Sequence, residues 1–273
     1  MSGAPSALRS RVLTALVLAS VLVGVVLGLP EWATLVLIAL AVLAGAWEWT
    51  ALLGLTGAAL RGAYVLVVAL LLAGAWLYTR DAGALRIFLL FAAAWWLVAL
   101  GWLALAPQQV QGWSAGLAGL LVLVPAGVAL GQIRIAPGIG AALTLFTIVL
   151  VVAADAGAFF AGRAFGRVRL APRVSPGKTW EGVIGGLVLS ALVAFGGAAW
   201  FGVPAVSMVP VCVAAAAFSV VGDLTESMLK RYAGVKDSGS LFPGHGGILD
   251  RIDSITAGAP VLLLGFLQIE VLP

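Results

Sequence analysis

Apolar runs of membrane-spanning length, separated by short polar breaks, make up almost the whole chain. A helix needs about 20 mostly apolar residues to cross the hydrocarbon core of a bilayer. Nine stretches read this way: 11–29, 32–54, 62–79, 84–106, 115–132, 138–162, 182–202, 204–229 and 254–271. The breaks after the fifth and seventh are short, whereas those at 163–181 and 230–253 are longer and polar. No internal repeat or separate soluble segment interrupts the pattern. It predicts an all-α, polytopic membrane protein, one domain over residues 1–273. Residues 1–135 supply N-terminal spans, and residues 136–273 carry both polar loops.

Composition removes the soluble alternatives. Hydrophobic residues are 63% of the chain and charged residues only 10%, against roughly 25% charged in soluble domains. The abundant glycine (35 residues) suits close helix packing in lipid. Cys212 is the one cysteine, so no intramolecular disulfide can form, and its apolar setting marks it as a packing residue. Arg9 and Arg11 precede the first apolar run, and no small-residue cleavage site follows it, so that run reads as a helix and not as a cleaved signal.

Lysine and arginine placement sets the expected orientation. With the N-terminus cytoplasmic, twelve of the fifteen basic residues fall on the cytoplasmic side and only Arg80, Arg86 and Arg134 on the other. Both polar loops then share the cytoplasmic face, where a polar cytosolic substrate would meet them. Localisation in the inner (cell) membrane is the expectation.

Acids within spans need a partner or a role. Glu48, between Trp47 and Trp49, reads as a residue of the interfacial aromatic belt. Asp155 lies about two turns before the basic loop, which leaves open an arginine partner or a place in a polar cavity. Asp223, Glu226 or Ser227, and Lys230 follow helical spacing and share one face.

The stretch from Asp223 to Asp253 holds five of the eleven acidic residues, four of the fifteen basic ones and the single histidine. Its glycines allow backbone N–H groups to approach an anion closely. Asp250 and Asp253 lie at i and i+3 on a helix start. They read either as a cap and salt-bridge cluster with Arg251 or as carboxylates for Mg²⁺, which Asp223 and Asp250 could hold together. His245 fits a phosphate contact or a loop hydrogen bond better than a general base.

The other loop carries Arg163, Arg167, Arg169, Arg173 and Lys178. Ser175 before Pro176 reads as an N-cap with proline at the first helical position, and Lys178 and Thr179 there suit a phosphate. The Gly177-Lys178-Thr179 triplet is not a P-loop: the first glycine of that motif would fall at Pro172, and no strand precedes it.

These residues together resemble the phosphatidate cytidylyltransferase (CDP-diacylglycerol synthase) family. Ser227, Lys230, Arg231, Lys236, Asp237, Gly239, Phe242–Gly247, Asp250, Arg251 and Asp253 meet each fixed position of its signature. Ser175–Gly182 and Ala154–Phe159 match two further elements. The likeness is strong in the C-terminal half and generic in the N-terminal half. It implies a membrane enzyme joining CTP to phosphatidic acid, with CDP-diacylglycerol and pyrophosphate as products. It also implies Mg²⁺, a second, monovalent cation such as K⁺, a homodimer, and a polar cavity open to the cytoplasm, with no nucleic-acid partner.

The same resemblance assigns roles. Asp223 and Asp250 are expected as metal ligands, with Asp253 a further one. Lys178, Lys230, Lys236, Arg231 and Arg251 handle phosphates, with His245 a further substrate contact. Ser175 and Thr179 offer hydroxyls, and Asp155 belongs to the cavity. A phosphate nucleophile is already ionised near neutral pH, so transfer needs in-line positioning and charge neutralisation more than a base. Other readings are a CTP-dependent enzyme acting on an archaeal-type ether lipid, a polyprenol-type kinase using CTP, and a membrane transporter. A transporter would spread polar residues along mid-membrane positions, whereas here they gather at one end.

Overall fold

A computed structural model describes residues 19–239 and 246–271. Arg9, Arg11, the Phe242–Gly244 part of the signature and His245 lie outside the described residues.

Nine helices occur among the described residues. They are α1 (Ala19–Gly28), α2 (Glu31–Leu52), α3 (Ala58–Tyr78), α4 (Ala82–Leu105), α5 (Gly112–Arg134), α6 (Gly140–Phe165), α7 (Trp180–Phe201), α8 (Ala205–Tyr232) and α9 (Leu249–Gln268). Seven, α2 to α8, are long and apolar enough to cross a membrane. The ninth expected span, α9, begins at Leu249 and not at 254, so Asp250, Arg251 and Asp253 stand inside its first turns.

Burial separates the helices. In α3 only Val68 is buried, so its apolar surface faces outward. By contrast, α5 and α9 are buried on most sides, and α9 packs against α2, α4, α5, α6 and α8. A helix apolar all round belongs in the interior. Cys212 is fully buried in the core with Met208, Leu262 and Phe266, in keeping with a packing role. Side-chain to backbone bonds fasten the N-terminal helices to α5: Trp49 Nε1 donates to the Ala115 carbonyl and the Tyr64 hydroxyl to that of Gly116, both at 2.9 Å.

Two helix pairs approach closely enough that glycine is required. Along the α6–α7 seam, a Cβ at Gly186 would stand 2.6 Å from the Ala154 carbonyl oxygen. One at Gly182 would stand 2.8 Å from that of Ala158, and one at Gly157 would stand 2.6 Å from that of Gly185. Gly182 and Gly186 are four residues apart, the small-residue spacing that lets membrane helices touch backbone to backbone. Between α8 and α9, a Cβ at Gly222 would lie 2.7 Å from the Asp253 carbonyl oxygen and 3.0 Å from the Ala257 Cβ. That contact seats Asp223, the next residue, beside the first turns of α9.

The α6–α7 connection corrects one expectation. Residues 175–179 are not the start of a helix but a strand. The strands β1 (Arg169–Ala171) and β2 (Ser175–Thr179) pair antiparallel, Arg169 opposite Thr179 and Ala171 opposite Ser175. A two-stranded ribbon has only edge strands, where Pro176 is tolerated. The true N-cap is Thr179, whose hydroxyl accepts the Gly182 N–H at 3.2 Å. Glu181 accepts the Val168 N–H at 3.2 Å and ties the ribbon's entrance to α7. Val174, at the ribbon tip, packs with Leu224 and Met228 of α8.

Candidate active site

Successive helices from α2 on run in alternating directions, so the C-terminal ends of α2, α4, α6 and α8 share one end of the bundle with the N-terminal ends of α3, α5, α7 and α9. Ten described basic residues lie toward that end and three toward the other. The polar segments before α7 and before α9 meet there.

A cavity of about 440 Å³ lies between α6, α7, α8 and the ribbon, within the usual size of small-molecule sites. Asp155 and Arg163 of α6, Lys178 and Thr179 of β2, and Asp223 of α8 line it. Phe159, Val183 and Val220 supply its apolar surface. Lys178 Nζ and Asp223 form an ion pair across it, and the Ser227 hydroxyl reaches the other Asp223 oxygen at 3.4 Å. Asp155 is open to the cavity. Its Oδ1 accepts the Ser254 hydroxyl of α9 at 3.1 Å. The two alternatives for Asp155 are thus resolved: it is a cavity residue, and its hydrogen-bond partner is a serine and not an arginine.

A second polar network occupies the adjacent face of α8. Lys230, 9% exposed, donates to Glu226 at 3.0 Å and to Asp250 at 2.7 Å. The other Asp250 oxygen accepts the Ser238 N–H at 2.9 Å, the Ser238 hydroxyl at 3.0 Å and the Gly247 N–H at 2.8 Å. Both oxygens of Asp250 are therefore engaged, one by Lys230 of α8 and the other by Ser238 and Gly247. Among the described residues, Asp253 Oδ1 accepts the neighbouring Ser254 N–H at 2.7 Å, and Asp223, Glu226 and Lys230 act on it electrostatically.

Glu48 joins this network and was misread from sequence. It is no belt residue. Its carboxylate accepts the N–H groups of Ile248 and Leu249 and the Ser238 hydroxyl, each at 2.9 Å. These are the first amides of α9, where a negative charge is favoured by the helix dipole. Gly239 and Gly247 flank the carboxylate; a Cβ at Gly239 would stand 2.6 Å from a Glu48 oxygen. The glycine loop does use its amides to hold anions, but the anions seen there are the protein's own Glu48 and Asp250. The only local signal was a charge inside an apolar span, and Trp47 and Trp49 drew the reading away: Trp47 instead stacks under the Arg61 guanidinium, 3.9 Å from its ring centroid.

Several sequence candidates lie away from the first cavity. Ser175 sits in the ribbon, and Lys236 is exposed on the turn after α8. Arg251 borders a different cleft among α1, α2, α5, α6 and α9. Arg231 lines a separate pocket with Arg173. Lys178, Thr179, Asp155 and Asp223 are together in the first cavity, and Asp253 and Glu226 are near enough to act electrostatically with Asp223.

Among the described residues, no three acidic, histidine or cysteine side chains converge as a ready metal cage. Mg²⁺ asks for only one or two carboxylates, with waters and substrate phosphates completing its shell. The donor set fits: Asp155, Asp223, Glu226 and Asp253 are hard-oxygen groups near one another, and a cation, the Lys178 ammonium, already sits on Asp223.

Residues 9–268 match the model of the cytidylyltransferase family. The chain is 43% identical over 210 residues to the phosphatidate cytidylyltransferase of Haemophilus influenzae, covering 68% of this chain and 73% of that protein. It is 44% identical over 181 residues to the Pseudomonas aeruginosa protein of the same name, covering 63% and 66%. Over 134 residues it is 46% identical to phosphatidate cytidylyltransferase 4, chloroplastic, of Arabidopsis thaliana, covering 42% of this chain and 30% of that one.

Proposed function

The chain belongs to the cytidylyltransferase family, and we propose from this premise how its cavity carries out the reaction. The protein is a multi-pass membrane enzyme that transfers the cytidylyl group of CTP to phosphatidic acid, giving CDP-diacylglycerol and pyrophosphate. A phosphate oxygen of phosphatidic acid attacks the α-phosphorus of CTP, and the bond from that phosphorus to the leaving pyrophosphate oxygen breaks.

The observation that carries the reading is the Lys178–Asp223 pair at the wall of a cavity with both polar and apolar surface. Lys178 is placed to turn from Asp223 to a substrate phosphate, with Arg163 beside it. Thr179, though it caps α7, keeps its side chain at the cavity wall. Asp223 and Asp253 are the carboxylates left for Mg²⁺, with Asp155 near enough to receive its waters. When bound, Mg²⁺ supplies neutralisation of the triphosphate charge. Asp250 serves by holding Lys230 and the loop, and Glu48 by holding the start of α9. A second, monovalent cation belongs to the same proposal and would ease the remaining carboxylate repulsion. The cavity opens to the cytoplasm of the cell membrane on this reading, as the basic bias of that end supports. Assembly as a homodimer is kept from the resemblance, and cross-linking in membranes tests it.

The test is incorporation of α-labelled CTP into lipid by the purified protein with phosphatidic acid and Mg²⁺, and release of pyrophosphate in equal amount. An archaeal-type ether lipid phosphate competes as the alternative acceptor. Absence of labelled lipid from folded protein under these conditions would overturn the proposal.

A further inference from the structure

A second polar cavity, of about 300 Å³, opens at the same end of the bundle and shares no lining residue with the first. Gln108 lines it from the α4–α5 connection, Arg173 and Val174 from the ribbon tip, and Arg231 and Tyr232 from the last turn of α8. The charge is one-sided: among the described residues, two guanidinium groups line it and no carboxylate does.

Among the described residues neither guanidinium has a carboxylate partner. Arg231 donates from Nε to the Val174 carbonyl and from a terminal nitrogen to the Val235 carbonyl, both at a long 3.4 Å. Arg173 makes no hydrogen bond or ion pair among the described residues. Two like charges at one cavity repel, and five N–H donors on each leave most of the fork unused. The geometry is nonetheless fixed. Val174, between the two arginines in the structure, is 4% exposed and packs on Leu224 and Met228. The ribbon tip therefore holds Arg173 over the end of α8.

We propose that this cavity binds a phosphate group, gripped between Arg173 and Arg231. The planar guanidinium fork matches phosphate oxygens bidentately, and the Tyr232 hydroxyl and Gln108 amide add neutral donors. The phosphate comes either from an anionic lipid headgroup or from a soluble phosphate or pyrophosphate. Arg173 and Lys178 stand on one short ribbon, so an anion gripped at the tip steadies the strand that carries Lys178.

Binding is read by thermal unfolding of the full chain in phosphatidylcholine nanodiscs, without CTP or phosphatidic acid. One arm adds inorganic pyrophosphate and the other adds phosphatidylglycerol to the nanodisc. The expected result is a saturable rise in Tm in at least one arm. Arg173→Gln shifts that response to about ten-fold higher probe concentration or more, the loss of a charge-assisted contact. Arg167→Gln, an exposed arginine outside both cavities, keeps the wild-type response. A response to pyrophosphate alone assigns a soluble ligand, and one to phosphatidylglycerol alone a lipid. No rise in either arm, or an unchanged response in Arg173→Gln, overturns the proposal. Turnover is not the readout, so failure of the transferase reading and failure of this one are distinguishable.

Discussion

The Glu48 carboxylate accepts the backbone N–H of Leu249 at 2.9 Å, so the end of α2 holds the start of α9 across 201 positions of sequence. The same side chain takes the Ile248 N–H and the Ser238 hydroxyl. Glu48→Ala strands these donors, at roughly 1–3 kcal/mol for each buried one. A marked fall in Tm is expected, with loss of activity because α9 carries Asp253. Glu48→Gln keeps an acceptor oxygen and recovers part of both. Equal Tm values for the three proteins would refute the clamp.

Asp223 and Asp250 part company under the same substitution. Asp223→Asn leaves a half-exposed position with little structural loss, but it removes the carboxylate set against the cavity. A loss of about a thousand-fold in kcat, several kcal/mol of transition-state stabilisation, is expected. The Tm moves little. Asp250→Asn instead breaks one arm of the buried Glu226–Lys230–Asp250 triad, at about 3–5 kcal/mol, so stability and activity fall together. Paired Tm and kcat measurements check both. Near-normal kcat in folded Asp223→Asn would remove it from the reaction.

Gly222→Val tests the α8–α9 contact. Its Cβ would crowd the Asp253 carbonyl at 2.7 Å, and overpacking of this kind costs about 1–3 kcal/mol. The expected outcome is an activity loss larger than the stability change explains, because α9 must shift and carries Asp253 with it. A Mg²⁺ titration of initial rates should show a raised requirement. Gly196→Val, where a side chain meets open space, serves as the control.

Thr179→Ala removes the α7 cap, a loss of about 0.5–2 kcal/mol, and Thr179→Ser restores it. If both show the same Tm, the cap at the ribbon–helix junction is not a stabilising one.

The helices were legible because an apolar run of spanning length has one solution in lipid: every backbone group must be satisfied within the segment. Boundaries moved by a few residues, most at α9, where charged residues hid the first turns. Asp155, Lys178, Thr179 and Asp223 were legible as polar groups near one another in the fold. The ribbon was not, because strands of three and five residues containing Pro176 and Gly177 carry no period. Ser175-Pro176 imitates a helix start, and the cap lies four residues on. Glu48 was illegible for a different reason. Its partners are about 200 positions away, and only the tertiary contact shows Gly239 and Gly247 against an internal anion.

The two sides of the first cavity differ mechanically. The α6–α7 seam behind one wall is backbone against backbone at Gly157, Gly182 and Gly186, so it behaves as a fixed abutment. The ribbon opposite rests on α8 through the small Val174–Leu224–Met228 patch and the Lys178–Asp223 pair. Room for a bulky lipid phosphate is therefore set by how the ribbon is seated on α8, since the helix seam behind the other side leaves no slack.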